Sequence, residues 1–210
     1  MVLASPRFLY LAEPGETKAS NQPIRLNSRE LASRLSYFLW SAPPDETLLA
    51  LARGGELDRP EVLAAQVDRM IDSEKSREFV NGFTHQWLGM ERLDFFQFNT
   101  QLHRDFDESA KAAARAEVFR TIEHVLRANR GVGDLLKSDY VVVNGLLGTY
   151  YGLEGVTGDE FRKVALPPDS PRGGLLGMAA IMAMGSNGEV SSPVERGAWV
   201  LRKLLHDPPP

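Results

Sequence analysis

Apolar residues recur along most of this chain at three- and four-residue spacing, the period that gathers them on one face of a helix. Asn27 stands before Ser28-Arg-Glu30, a cap followed three residues later by an acid. Leu31, Leu35, Phe38 and Leu39 then mark a stripe that ends near Ser41, ahead of Pro43-Pro44. A second helix is predicted from Asp45 to Gly54-Gly55, where a left-handed residue can close it. Asp58-Arg-Pro60 opens a third with Leu63, Val67, Met70 and Ile71 as its stripe, and Ser73 is placed to cap a fourth carrying Phe79, Phe83, Trp87 and Met90. The period lapses over residues 91–101, read as a loop pinned by aromatic side chains from Phe95 to Phe98. Asp105 or Asp107 then caps a long helix through Ala112, Val118, Ile122, Val125 and Leu126 that stops before Gly131.

Beyond that helix the pattern changes. Residues 140–143 and 161–166 are short β candidates, enough for one small ribbon, and the glycines and Pro167-Pro168 of 152–170 mark a connector. Residues 173–184 form an apolar, Met-rich run read as a helix, about half as long as the ~20 residues a membrane span requires. In the last helix Ser192 caps, Pro193 occupies the first turn and Glu195 completes a capping box. The fold class that follows is mainly α: a helical bundle with a C-terminal helical hairpin and one short β ribbon. Tyr37, Phe38, Trp40, Phe79, Phe83 and Trp87 are expected to form its main core.

Composition narrows the function classes. The chain has 210 residues, 43% hydrophobic and 25% charged, enough to bury a sizeable core. A net charge of −4 without a basic cluster argues against nucleic acid or an anionic membrane as partner. With no cysteine there is no disulfide, no thiolate metal site and no covalently attached c-type haem on this chain.

Candidate chemistry is sparse. His103-Arg-Asp105-Phe-Asp107-Glu108 gathers an imidazole and three carboxylates that would suit a hard or borderline metal, but the acids also complement the N-terminus of the long helix and are assigned to it. No metal site is therefore expected. His85 and His124 lack an i, i+4 partner, and Ser186, Ser191 and Ser192 lie near glycines without a G-x-S-x-G elbow. Met178, Met182 and Met184 read as core filler rather than as thioether ligands. Arg172-Gly173-Gly174 presents backbone N–H groups ahead of an apolar helix, a candidate for binding an anion or a partner, with tight packing of the glycines as the competing explanation. Arg196 and Trp199 on the last helix join them as candidate anion- or partner-binding residues. No catalytic residue is assigned.

Ser5-Pro-Arg-Phe-Leu-Tyr10, Glu30-Leu-Ala-Ser-Arg-Leu-Ser-Tyr-Phe-Leu-Trp40, Gln86-Trp-Leu88, Asp139-Tyr140, Asn144, Tyr151-Gly152, Arg172-Gly-Gly-Leu-Leu176, Ser192-Pro-Val194, Arg196-Gly197 and Trp199 together resemble a planctomycetal cytochrome-c-associated family. In that family a domain of unknown function 1592 precedes a domain of unknown function 1588. The resemblance implies an accessory or docking module of a larger exported multidomain protein, periplasmic or exported, although residues 1–7 do not have the character of a signal peptide. It implies a flanking or partner cytochrome c-type domain, with c-type haem held only in flanking domains of relatives and no cofactor on this chain. The expected divisions are 1–24, a remnant of a preceding helical domain; 25–155, the main helical domain; and 156–210, a C-terminal helical unit leading to a Pro-rich linker. Tyr150, Val190 and Ala198 depart from the family's usual His, Arg and Lys. The rival expectation is a periplasmic enzyme directed at a polymer or lipid, metal- or haem-dependent, with Arg172, Arg196, Glu195 and Trp199 converging on Tyr150 or Tyr151.

Overall fold

The computed structural model describes residues 25–99, 101–104 and 106–209. The segment 1–24, with its Ser5-Pro-Arg-Phe-Leu-Tyr10 motif, lies outside the described residues, as do Thr100, Asp105 and Pro210. The chain divides into two compact units between Ser76 and Arg77.

In the first unit three helices, α1 (Ser28–Trp40), α2 (Glu46–Arg53) and α3 (Pro60–Asp72), follow the sequence signals closely. Asn27 accepts from the N–H groups of Arg29 and Glu30 while Glu30 accepts from the Asn27 N–H, completing a capping box. Asp45 accepts from the Leu48 N–H and is gripped through both carboxylate oxygens by Arg69. That guanidinium holds the Asp45 carboxyl below its ordinary range. Leu48, Leu57 and Met70 are fully buried, and Trp40 donates its indole N–H to the Met70 carbonyl at 2.9 Å. Of the aromatic residues expected in the core only Trp40 is fully inside; Tyr37 (56% exposed) and Phe38 (64%) lie beside a mainly apolar groove of about 640 Å³ that α1 and α3 line.

The second unit comprises α4 (Arg77–Leu88), α5 (Glu91–Asp94), α6 (Glu108–Arg127), β1 (Tyr140–Val143), α7 (Gly145–Tyr150), β2 (Arg162–Ala165), α8 (Ala179–Met184) and α9 (Pro193–Lys203). The ribbon is antiparallel, with Tyr140 opposite Ala165 and Val143 opposite Arg162. Its core runs from Val80 on α4 through Val118 and Ile122 on α6 and Val141 on β1 to Ile181 on α8 and Trp199 on α9. Phe79 and Trp87, partly buried, pack against this core, with the Phe83 ring 5.5 and 5.4 Å from theirs, and Phe83 itself is half exposed.

Three local readings need correction. Ser73 caps a 3-10 turn (Glu74–Ser76), accepting from the Lys75 N–H, and α4 starts only at Arg77. Residues 91–101 include a helical turn, α5; Phe98 is pinned by Phe96 and Phe106, but Phe95 points outward. The run 173–184 is not one helix: a 3-10 turn (Leu175–Gly177) is separated from α8 by Met178 in an extended conformation. The break arises because the Ala179 N–H is claimed by side chains from elsewhere in the unit. Among the described residues no helix is long and apolar enough to cross a membrane.

Candidate functional site

The side chains that claim the Ala179 N–H belong to Glu117 and Tyr151. Glu117 lies on the inward stripe of α6, between Ala113, Ala114, Val118 and Thr121, and is completely buried. Tyr151, just past the end of α7, donates its hydroxyl to Glu117 Oε2 at 2.6 Å. The Ala179 N–H donates to Tyr151 Oη at 2.9 Å and reaches Glu117 Oε2 at 3.4 Å. Arg172 completes the group, its guanidinium carbon 3.5 Å from the centre of the Tyr151 ring and its Nη1 donating to the Gly177 carbonyl at 3.0 Å. Glu117 Oε1 is buried with no hydrogen-bond partner among the described residues.

Electrostatics follow from that geometry. Burial disfavours the carboxylate and pushes Glu117 up to about 7, against the opposing pull of the Tyr151 and Ala179 hydrogen bonds and of Arg172. Burial, followed by the neighbouring carboxylate, raises Tyr151 far above the ordinary phenol range. A carboxyl poised near neutrality beside a proton-bearing phenol and a guanidinium is equipped to hold or exchange a proton.

The other cluster of charge faces a different side of α6. There Glu123 is held by Arg77, Arg120 and Arg127 at 3.0, 2.7 and 3.2 Å, beside a cleft of about 580 Å³ that also takes in Asn81, His85 and Arg115. Burial would raise the Glu123 carboxyl, but Arg120 and Arg77 outweigh it and hold it low.

Of the residues singled out from sequence, Arg172 joins the buried cluster. Gly173 and Gly174 adopt left-handed φ of 104° and 83° and press against the Ser138 and Leu136 carbonyls, leaving no room for a side chain. Trp199 is buried and donates its indole N–H to the Leu88 carbonyl at 3.1 Å. Arg196 is exposed with its stem against Gly185, and Glu195 pairs with Arg92 at 3.0 Å. Asp107 caps α6 through the Ala110 N–H, while His103 Nε2 lies 3.0 Å from the Glu189 carbonyl oxygen. Among the described residues no group of three or more His, Cys, Asp or Glu is placed to hold a metal. His124 packs edge-on to Tyr140, Met178 and Met184 are core residues, and Tyr150 lies edge-on to Phe106. Glu117 was missed because an acid amid Ala-rich helix reads as solvated; the available signal was its position three and four residues from Ala114 and Ala113, on the buried stripe.

Comparison with known families places this geometry. The model of PSD4, a protein of unknown function (DUF1592), matches residues 26–153, well over half of the chain. The chain belongs to the DUF1592 family. Behind that region the model of PSCyt3, a protein of unknown function (DUF1588), matches residues 172–210. No match was found among curated proteins or among solved structures. The DUF1592 region therefore supplies Glu117 and Tyr151, and the DUF1588 region supplies Arg172 and Ala179, so the buried cluster joins the two.

Proposed function

We propose that this DUF1592 chain is an accessory, docking module of a larger exported or periplasmic multidomain protein, acting beside a cytochrome c-type domain. The observation that carries the reading is the succession of the two family regions on one chain, the second bearing a name, PSCyt3, that hints at cytochrome association. The packing supports it. The two regions share one core through the Glu117–Tyr151–Ala179 bonds and through paired tryptophans: Trp199 donates to the Leu88 carbonyl and Trp87 to the Lys203 carbonyl. Such a block is suited to present a fixed surface. Any haem in the assembly belongs to the partner domain.

Calorimetric titration of the full chain into a haem-loaded cytochrome c-type domain of the kind found beside this family tests the reading. Saturable one-to-one binding is expected. Absence of heat and of co-elution at the highest soluble concentrations rejects it.

One observation favours a second reading, an enzyme working on a polymer or lipid: Glu117, a carboxyl held near neutrality beside a tyrosine and an arginine, is a perturbed group of the kind that gathers at functional sites. Turnover by the isolated chain, abolished in Tyr151→Phe, would establish it over docking.

A further inference from the structure

Three buried oxygens of the second unit have no hydrogen-bond partner among the described residues: Thr84 Oγ1 on α4, and Thr121 Oγ1 and Glu117 Oε1 on α6. Buried polar atoms are ordinarily paired, because a hydroxyl or carboxyl taken out of water forfeits its bonds there. A threonine inside a helix has a local remedy, donation to the carbonyl four residues back, and Thr149 uses it on Gly145 at 3.0 Å. Thr84 and Thr121 do not.

The three oxygens belong to one seam. α4 and α6 run antiparallel: at the start of α4 Arg77 Nε donates to Glu123 Oε1, and just beyond its end the Met90 carbonyl accepts from Arg115 Nη2. Thr84 lies midway between Arg77 and Met90, on the buried stripe of Val80, Thr84 and Leu88, and so comes level with the turn of α6 that runs from Glu117 to Thr121. Residues four apart on a helix are separated by a rise of about 6 Å, a gap that two hydrogen bonds of about 2.8 Å through one oxygen can span. Glu117 Oε2 is already taken by Tyr151 and Ala179, which leaves Oε1 as the carboxyl's contribution to the seam.

We propose that a single water molecule is held inside the second unit between Glu117 Oε1, Thr121 Oγ1 and Thr84 Oγ1. About three polar partners is what a buried water ordinarily satisfies. Water also suits a carboxyl that changes state, since it accepts from the protonated form and donates to the ionised one. The other titratable or charged groups that act on Glu117 are Tyr151 and Arg172, and the buried stripes of α4 and α8 add none. The water lies in the core of the second unit and is independent of any docking to a cytochrome c-type domain.

Thr121→Val and Thr84→Val in the full chain test the proposal, because valine keeps nearly the same shape and removes the hydroxyl. The urea midpoints of both variants are expected to fall, since each strips a partner from the water. A hydroxyl with no partner at all is better replaced by a methyl group, and the midpoint would then rise. Oxygen-17 relaxation dispersion of the solvent, which reports long-lived internal water, is expected to be lower in Thr121→Val than in wild type by the equivalent of about one molecule per chain. Carboxyl carbon-13 spectra should place the Glu117 titration higher in the same variant, because the ionised form loses a donor. A raised urea midpoint or equal dispersion in wild type and variant overturns the proposal, as does an unmoved Glu117 titration.

Discussion

Glu117 is the residue whose environment departs furthest from what its type prefers. Its carboxyl titrates near 4.5 when the chain is unfolded and at about 7 when buried, so the native state holds its proton more tightly. Below 4.5 both states are protonated and nothing is lost. As pH rises from 4.5 to 7 the unfolded chain ionises first, and stability falls; above 7 the loss, up to about 3 kcal/mol, is complete. His124 acts in the opposite direction, because burial lowers its pKa and its contribution grows as pH rises. Urea unfolding of wild type and Glu117→Gln between pH 5 and 8 separates the two. The difference between the proteins should change by roughly 2–3 kcal/mol in favour of the variant on going to pH 8, and a constant difference would mean that Glu117 does not titrate there. Sequence carried half of this site. Arg172 stood out because Arg-Gly-Gly precedes an apolar run, and Tyr151 because it falls in a family motif. The bond between Tyr151 and Glu117 spans 34 positions, a separation that no local period encodes.

At the scale of elements, chain signals worked where a cap or a breaker acts on its own neighbours. Asn27, Asp45, Asp107 and Ser192 each accept the N–H bonds assigned to such caps, and both β candidates pair as one ribbon. They failed where tertiary bonds override propensity, as at Met178, whose extended conformation interrupts an otherwise helical run so that Ala179 can reach Tyr151. The aromatic residues of α1 and α4 divide differently: Trp40, Phe79 and Trp87 join a core while Tyr37, Phe38 and Phe83 remain exposed, because a helical period identifies a stripe and not how deeply each ring on it is buried. Two glycines give opposite expectations. At Gly174 an alanine would combine left-handed strain with a clash against the Leu136 carbonyl, so Gly174→Ala should cost at least about 2 kcal/mol. At Gly82, inside α4 with open space around it, alanine lowers the entropy of the unfolded chain and should stabilise by about 0.5–1 kcal/mol. Shifts of the urea midpoint at constant slope would measure both.

On the scale of the whole molecule, family boundaries and compact units do not coincide. The DUF1592 region starts in the first unit and ends in the second, whereas the DUF1588 region lies entirely within the second. Among the described residues, the cluster of buried side chains that runs from Val80 to Trp199 draws on the second unit alone. A fragment of residues 77–210 should therefore unfold cooperatively and keep the pH dependence assigned to Glu117, as followed by circular dichroism. A fragment that fails to fold, or unfolds without cooperativity, would show that the second core depends on the first 76 residues. Within that unit the last carbonyls of α4 and α9, which no helix can satisfy internally, are each taken by an indole from the other helix. The third tryptophan, Trp40, belongs to the first unit. Light emission from a Trp40→Phe variant would thus arise solely from the two rings of this reciprocal clasp, giving the chain a built-in gauge that reddens as the final helix lifts away.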